Sequence, residues 1–131
     1  MAYIPGINPQ IIMGYDYVLV NRVRAYLAEI PEIEVEEKEM FAVLNFLVNG
    51  KTCICVNEDR LMLRFDPALQ EFLSTRNGYE TMLMKGKEYK GYCYFNSQGY
   101  KNKDDFDYLM FICLDFNKGA RKSTPKNRSG K

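Results

Sequence analysis

Between two apolar runs, 40–48 and 52–56, stands the dipeptide Asn49-Gly50. Both residues tolerate positive φ, so the pair predicts a two-residue type I′ hairpin, which in turn commits the flanking runs to antiparallel pairing. A second turn signal, Asn57-Glu58-Asp59, precedes another apolar run at 61–65, extending the hairpin to a three-strand meander. Alternation at 33–39 (Ile33 and Val35 against Glu34 and Glu36) also suggests strand, weakened by the run of glutamates.

Upstream, Pro5, Gly6, Pro9 and Gly14 make 1–15 an irregular lead-in. Asp16 is placed to cap a helix carrying Val18, Val20, Val23, Leu27 and Ile30, which Pro31 stops. Downstream, Asp66-Pro67 is an N-cap followed by proline at the first helical position, predicting a helix over 67–74. Strands are expected at 79–84 and 91–96, with Gly86 and Gly91 in or beside their connection. Lys103-Asp104-Asp105 opens a last helix, with Phe106, Leu109, Met110, Cys113 and Phe116 at helical spacing and Gly119 at its end. The expected fold is a two-layer α+β domain: an antiparallel sheet, made of a three-strand meander plus a two-strand hairpin, packed against helices in the order helix, three strands, helix, two strands, helix. It spans 16–117, and a basic, disordered tail is expected over 118–131.

Counting outward from the turns assigns the sheet faces. With Asn49-Gly50 and Glu58-Asp59 as two-residue loops, Phe46 faces Cys53, Leu44 faces Cys55, Cys55 faces Met62 and Cys53 faces Arg64. One face then gathers Val43, Leu47, Ile54, Val56, Leu61 and Leu63 as a core. The other gathers Leu44, Phe46, Cys53, Cys55, Met62 and Arg64, too apolar a set to stand in open water. Either a partner covers it, including a second copy of the chain, or a terminal segment or helix does. A one-residue slip would exchange the two faces.

The chain's size, 131 residues with 47% hydrophobic, suits one domain with a real core. No apolar run is long enough to span a bilayer, and the first residues lack a signal-peptide pattern, so a cytoplasmic protein without membrane association is expected. Cys53, Cys55, Cys93 and Cys113 form no Cys-x-x-Cys pair, and there is no histidine. Buried, reduced core cysteines are expected rather than a metal site. The net charge of +1 is uneven: six positive charges and no acid lie in 118–131, leaving the rest at −5.

Nothing in the pattern assembles catalytic chemistry. The absence of histidine removes the usual general base, no Ser or Thr has a base nearby, and the glycines make neither a P-loop nor a dinucleotide fingerprint. Glu34, Glu36, Glu37 and Glu39 form an acidic run, read either as a solvated edge that deters edge-to-edge pairing or as an attractor for a cation or a basic partner. The expectation is a non-enzymatic domain with no cofactor and no metal. Lys85, Lys87 and Lys90 interleave with Tyr89, Tyr92 and Tyr94, either as stacking aromatics beside cations for single-stranded nucleic acid or as an ordinary exposed hairpin. The basic tail adds nonspecific phosphate affinity to the first alternative.

Three stretches in order resemble the N-terminal domain of the TfoX (Sxy) competence-regulator family. Met40-Phe-Ala-Val-Leu-Asn-Phe-Leu-Val-Asn-Gly-Lys51 is similar to that family's "MFGG-x-x-F-x-x-x-GK" strand and turn. Asp59-Arg-Leu-Met-Leu-Arg64 resembles its "D-x-L-x-L-R" strand, and Met84-Lys-Gly-Lys-Glu-Tyr-Lys-Gly-Tyr92 its "M-x-G-x-x-x-x-G-Y/W" segment. The likeness covers about 16–117. It departs at Ala42-Val43, where the family has two glycines. The resemblance implies a secretion-chaperone-like fold and a non-enzymatic regulatory role. Full-length members activate DNA-uptake genes with the cAMP receptor protein and usually carry a second, C-terminal domain, so this chain is expected to be a stand-alone member. The expected contact residues are Phe46, Met62 and Arg64 for a protein partner, with a homodimer as one form, and the Lys85–Tyr94 hairpin second.

Overall fold

A computed structural model describes residues 11–12, 14–40 and 42–120 of the chain. Strands β1 (Ile11–Ile12) and β2 (Tyr15–Asp16) form a short hairpin that leads into helix α1 (Tyr17–Ala28). Four strands follow: β3 (Val35–Met40), β4 (Val43–Val48), β5 (Lys51–Asn57) and β6 (Arg60–Arg64). A 3₁₀ turn (Pro67–Leu69) runs into α2 (Gln70–Leu73), then come β7 (Tyr79–Met84) and β8 (Lys87–Phe95). Helices α3 (Ser97–Tyr100) and α4 (Lys103–Asn117) close the described fold. The six longer strands make one antiparallel sheet in the order β3-β4-β5-β6-β8-β7.

Local chemistry explains most of these boundaries. Asp16 accepts hydrogen bonds from the Val18 and Leu19 amides at 2.8 and 3.2 Å, satisfying two orphan donors of α1. Asp66 does the same for Ala68 at 3.0 Å. Asn102, one residue before the expected opening of α4, accepts from the Asp104 amide. Asn49 and Gly50 both take positive φ (52° and 81°), as a type I′ turn requires, and Lys85-Gly86 repeats the device (53° and 81°) between β7 and β8.

Three expectations about the elements and their bounds need correction. The lead-in is not irregular throughout: Gly14 breaks it into the β1–β2 hairpin, and the Glu58 amide donates to the Gly14 carbonyl at 2.8 Å, tying the hairpin to the β5–β6 turn. The meander has four strands, because the glutamate-rich 35–40 segment is the edge strand β3, exposed along its whole length. An edge strand whose six residues are all exposed has no core face to satisfy, and Glu37 pairs with Arg24 of α1 at 2.7 Å, so acidic residues do not oppose the strand there. Finally, Gly91 lies inside β8 rather than beside a connection.

The register carries the largest correction. Val48 faces Lys51 as counted, but pairing shifts between Phe46 and Leu47, so that Phe46 faces Ile54 and Leu44 faces Val56. Cys53 is the additional residue of a β-bulge. The slip turns Leu44 and Phe46 toward the helices and Val43 away from them. Leu44, Phe46 and Cys53, expected on the uncovered face, are 5%, 0% and 1% exposed in the core. The apolar residues buried by α1, α2, α3 and α4 all join this same cluster. Asn117 fastens the end of α4 to the β4–β5 hairpin: its Nδ2 donates to the Val48 carbonyl at 3.2 Å, and Lys51 Nζ donates to its carbonyl at 2.5 Å.

Candidate functional site

With the helices gathered on one side, the opposite face of the sheet holds a concavity of about 300 Å³. Among the described residues it is lined by strand residues: Met40, Val43, Asn45, Thr52, Cys55, Met62, Tyr89 and Tyr92. Its floor is polar but satisfied. Asn45 Nδ2 donates to Thr52 Oγ1 at 3.1 Å, and the Cys55 thiol lies 3.4 Å from Asn45 Oδ1, placed to donate to it. Burial pushes the Cys55 thiol up to about 12, so it stays protonated and is no nucleophile near neutral pH.

The aromatic wall depends on a bend in β8. In a regular strand, residues three apart point to opposite faces. Gly91, at φ 84°, breaks the alternation, and Tyr89 and Tyr92 stack with centroids 4.5 Å apart and planes 4° from parallel. A Cβ at Gly91 would press on the Phe65 carbonyl and Pro67, each 3.3 Å away. Buried Gln70 holds the bend: its Oε1 accepts from the Gly91 amide at 2.7 Å, and its Nε2 donates to the Tyr92 carbonyl at 3.2 Å and Tyr79 hydroxyl at 2.9 Å.

Farther along the same face, the Arg60 guanidinium lies 3.9 Å from the Tyr94 ring centroid and bonds Glu80 at 3.1 Å. Hydrogen bonds from Asn96 and then Arg60 hold the Glu80 carboxyl below its ordinary range. Arg64 stands at the margin, between the rings of Phe116 (5.6 Å) and Tyr92 (6.0 Å), with Nη1 buried and without a hydrogen-bond partner.

Of the residues expected on the contact face, the concavity therefore includes Cys55 and Met62, with Arg64 beside it. The hairpin set divides. Tyr89 and Tyr92 join the concavity and Tyr94 lies beyond it, whereas Lys85 and Lys87 sit at the distant β7–β8 turn and Lys90 pairs with Glu88 at 3.1 Å. Met40, Val43, Asn45 and Thr52 were missed. They follow from the same meander once a single bulge residue is inserted, and no local sequence signal marks where that bulge falls.

Burial likewise raises Cys53 and Cys93 to about 12, and Cys113 well above its ordinary value. Among the described residues no cluster of three or more metal-ligating side chains occurs, and no helix is long and apolar enough to cross a membrane.

Fold and face together define an α+β domain with a one-sided sheet, helices on one face and an apolar, tyrosine-walled hollow on the other. The chain belongs to the TfoX N-terminal domain family, whose model matches residues 25–116. No curated protein and no solved structure matches it. At the first of the family's two glycine positions, Ala42 takes a φ of 63°, the left-handed conformation that glycine adopts without strain. Gly14 accommodates its methyl group, since a Cβ there would stand 2.5 Å from that of Ala42.

Proposed function

We propose that this is a non-enzymatic regulatory domain that acts by binding a protein partner through the open face of its sheet, in the manner expected of the competence regulators whose N-terminal domain it shares. One observation carries the reading: the helices bury one face of the sheet, and the other presents Met40, Val43, Met62, Tyr89 and Tyr92 around a hollow. Contiguous apolar and aromatic surface of this kind marks interaction sites, and tyrosine and methionine suit them by offering area at low entropic cost or by adapting in shape. The four protonated thiols support the non-enzymatic part, because none is poised as a nucleophile.

The test is capture from the cytoplasm of the source cell by wild type and by Met62→Asp. A charge in the hollow should abolish recovery of the specific partner while leaving the circular dichroism unchanged. Equal recovery by both proteins would refute the reading. A second reading, binding of single-stranded nucleic acid, is favoured by the Arg60–Tyr94 contact and the exposed ring of Tyr89. It requires salt-dependent oligonucleotide binding that Tyr89→Ala weakens.

A further inference from the structure

The sheet ends in two strands of opposite character. At one edge, β3 carries four charges in six residues: Glu36, Glu37, Lys38 and Glu39. Charge on an edge strand is a common device against pairing with another chain. At the other edge, β7 (Tyr-Glu-Thr-Met-Leu-Met) has a single charge, Glu80, and neither lysine nor proline. That charge is turned back onto its own sheet, where the carboxylate accepts from Arg60 at 3.1 Å and Asn96 at 2.9 Å. Thr81 is exposed, and Leu83 and Met84 are 63% and 47% exposed. The strand is also regular. It runs between two positive-φ residues, Gly78 and Lys85, with none inside it. The irregularity in its pairing takes its extra residues from β8, where 89–92 lie opposite Met82 alone. Among the described residues no strand pairs with its outer side.

We propose that β7 pairs antiparallel with β7 of a second copy of the chain, about a two-fold axis through Met82. An edge strand offers a row of unpaired amides and carbonyls, and an added strand is what satisfies them in order. The sequence of β7 suits itself as that strand. Side chains directly opposite in a ladder point to the same face, so a two-fold pairing must centre on a residue rather than between two. Centred on Met82, it sets Thr81 against Leu83 of the second copy, and Glu80 against Met84 of the second copy. No like charges then meet. Centring on Thr81 would instead bring the two Glu80 side chains into diagonal contact. The pairing joins two six-stranded halves into one sheet whose ends are the charged β3 strands. Because the axis stands perpendicular to the sheet, both hollows open on the same side, and the dimer presents two contact faces together.

This pairing stands independently of the open-face reading, and separate variants test the two. In sedimentation velocity of the full chain, raised from micromolar to submillimolar concentration, wild type should pass from 15.3 kDa to twice that mass. Lysine at either exposed position, Leu83→Lys or Thr81→Lys, should raise the dimer dissociation constant by about tenfold or more, because it puts an unpaired charge into the ladder. Both side chains are exposed in the protomer, so circular dichroism should match wild type. Met62→Asp, on the open face, should leave the dimer unchanged. A wild type that stays at 15.3 kDa throughout would overturn the proposal. So would a dimer that survives both lysine variants. A dimer lost in Met62→Asp but kept in Leu83→Lys and Thr81→Lys would overturn it too, and would place the second copy on the open face. None of these outcomes decides whether a different protein binds the hollow, which rests on the capture experiment.

Discussion

Replacing Phe46 by alanine tests the bulged register directly. Counted without the bulge, Phe46 is a contact residue on an uncovered face, and its loss should hardly affect stability. In the structure its exposure is 0%, opposite Ile54 and beneath the helices. A buried phenylalanine removes roughly 200 Å² from water, and at about 25 cal/mol per Å² that corresponds to an upper figure near 5 kcal/mol. Measured Phe→Ala changes in cores fall at about 3–5 kcal/mol. Against a total stability of about 5–15 kcal/mol, this is a large loss. With a urea m-value of about 2 kcal/mol per M, the midpoint should fall by roughly 2 M, read by circular dichroism. Met62→Ala, on the half-exposed open face, should cost less than about 1.5 kcal/mol by comparison. If Phe46→Ala costs under about 1 kcal/mol and Met62→Ala costs more, the faces are reversed and the bulge is misplaced.

Other perturbations probe other parts of the fold. Ala42→Gly should relieve the left-handed strain at φ 63° and stabilise by about 0.5–1 kcal/mol net of glycine's entropy cost, visible as a rise in melting temperature; a fall would mean that the methyl contact with Gly14 outweighs the strain. Gln70→Ala orphans the buried Gly91 amide and should cost about 1–3 kcal/mol, with altered tyrosine near-UV dichroism as the Tyr89–Tyr92 stack loosens. The cysteines set an alkaline limit. Burial raises the folded pKa values of Cys53, Cys55 and Cys93 to about 12 and that of Cys113 well above its ordinary value, so the unfolded chain ionises first as pH climbs. Stability from this source is fully present below about pH 8.5 and declines between there and about pH 12, by up to ~1.4 kcal/mol per pH unit per thiol. Urea titrations at pH 7, 9 and 10 should show the decline, and replacing Cys93 by alanine should lessen its slope.

Much of the architecture was legible because it rests on local chemistry. Asn49-Gly50, Asp16 and Asp66-Pro67 act through their own backbone and their immediate neighbours, so their effects can be read from adjacent residues. The family motifs were legible for the same reason, being short stretches at fixed spacing. The strand at 35–40 was only half legible: its glutamates argue against a buried strand, and edge position is not a local property. The candidate site was legible in part. Cys55, Met62, Tyr89 and Tyr92 were singled out, but for two separate surfaces, and pairing of β6 with β8 brings them to one hollow.

The sequence alone determined the antiparallel meander, the capped helices, the lack of a histidine-based site and the family. It determined too that one sheet face would be more apolar than water tolerates. Which residues make that face was decided only in the tertiary structure, because side chains alternate with a period of two and one bulge residue, Cys53, exchanges the faces of β4 relative to those of β5 and β6. The helices accept Phe46 and Leu44 beneath them and leave Val43 and Met62 outside, and that choice is made by packing across the sheet, between residues far apart in the chain.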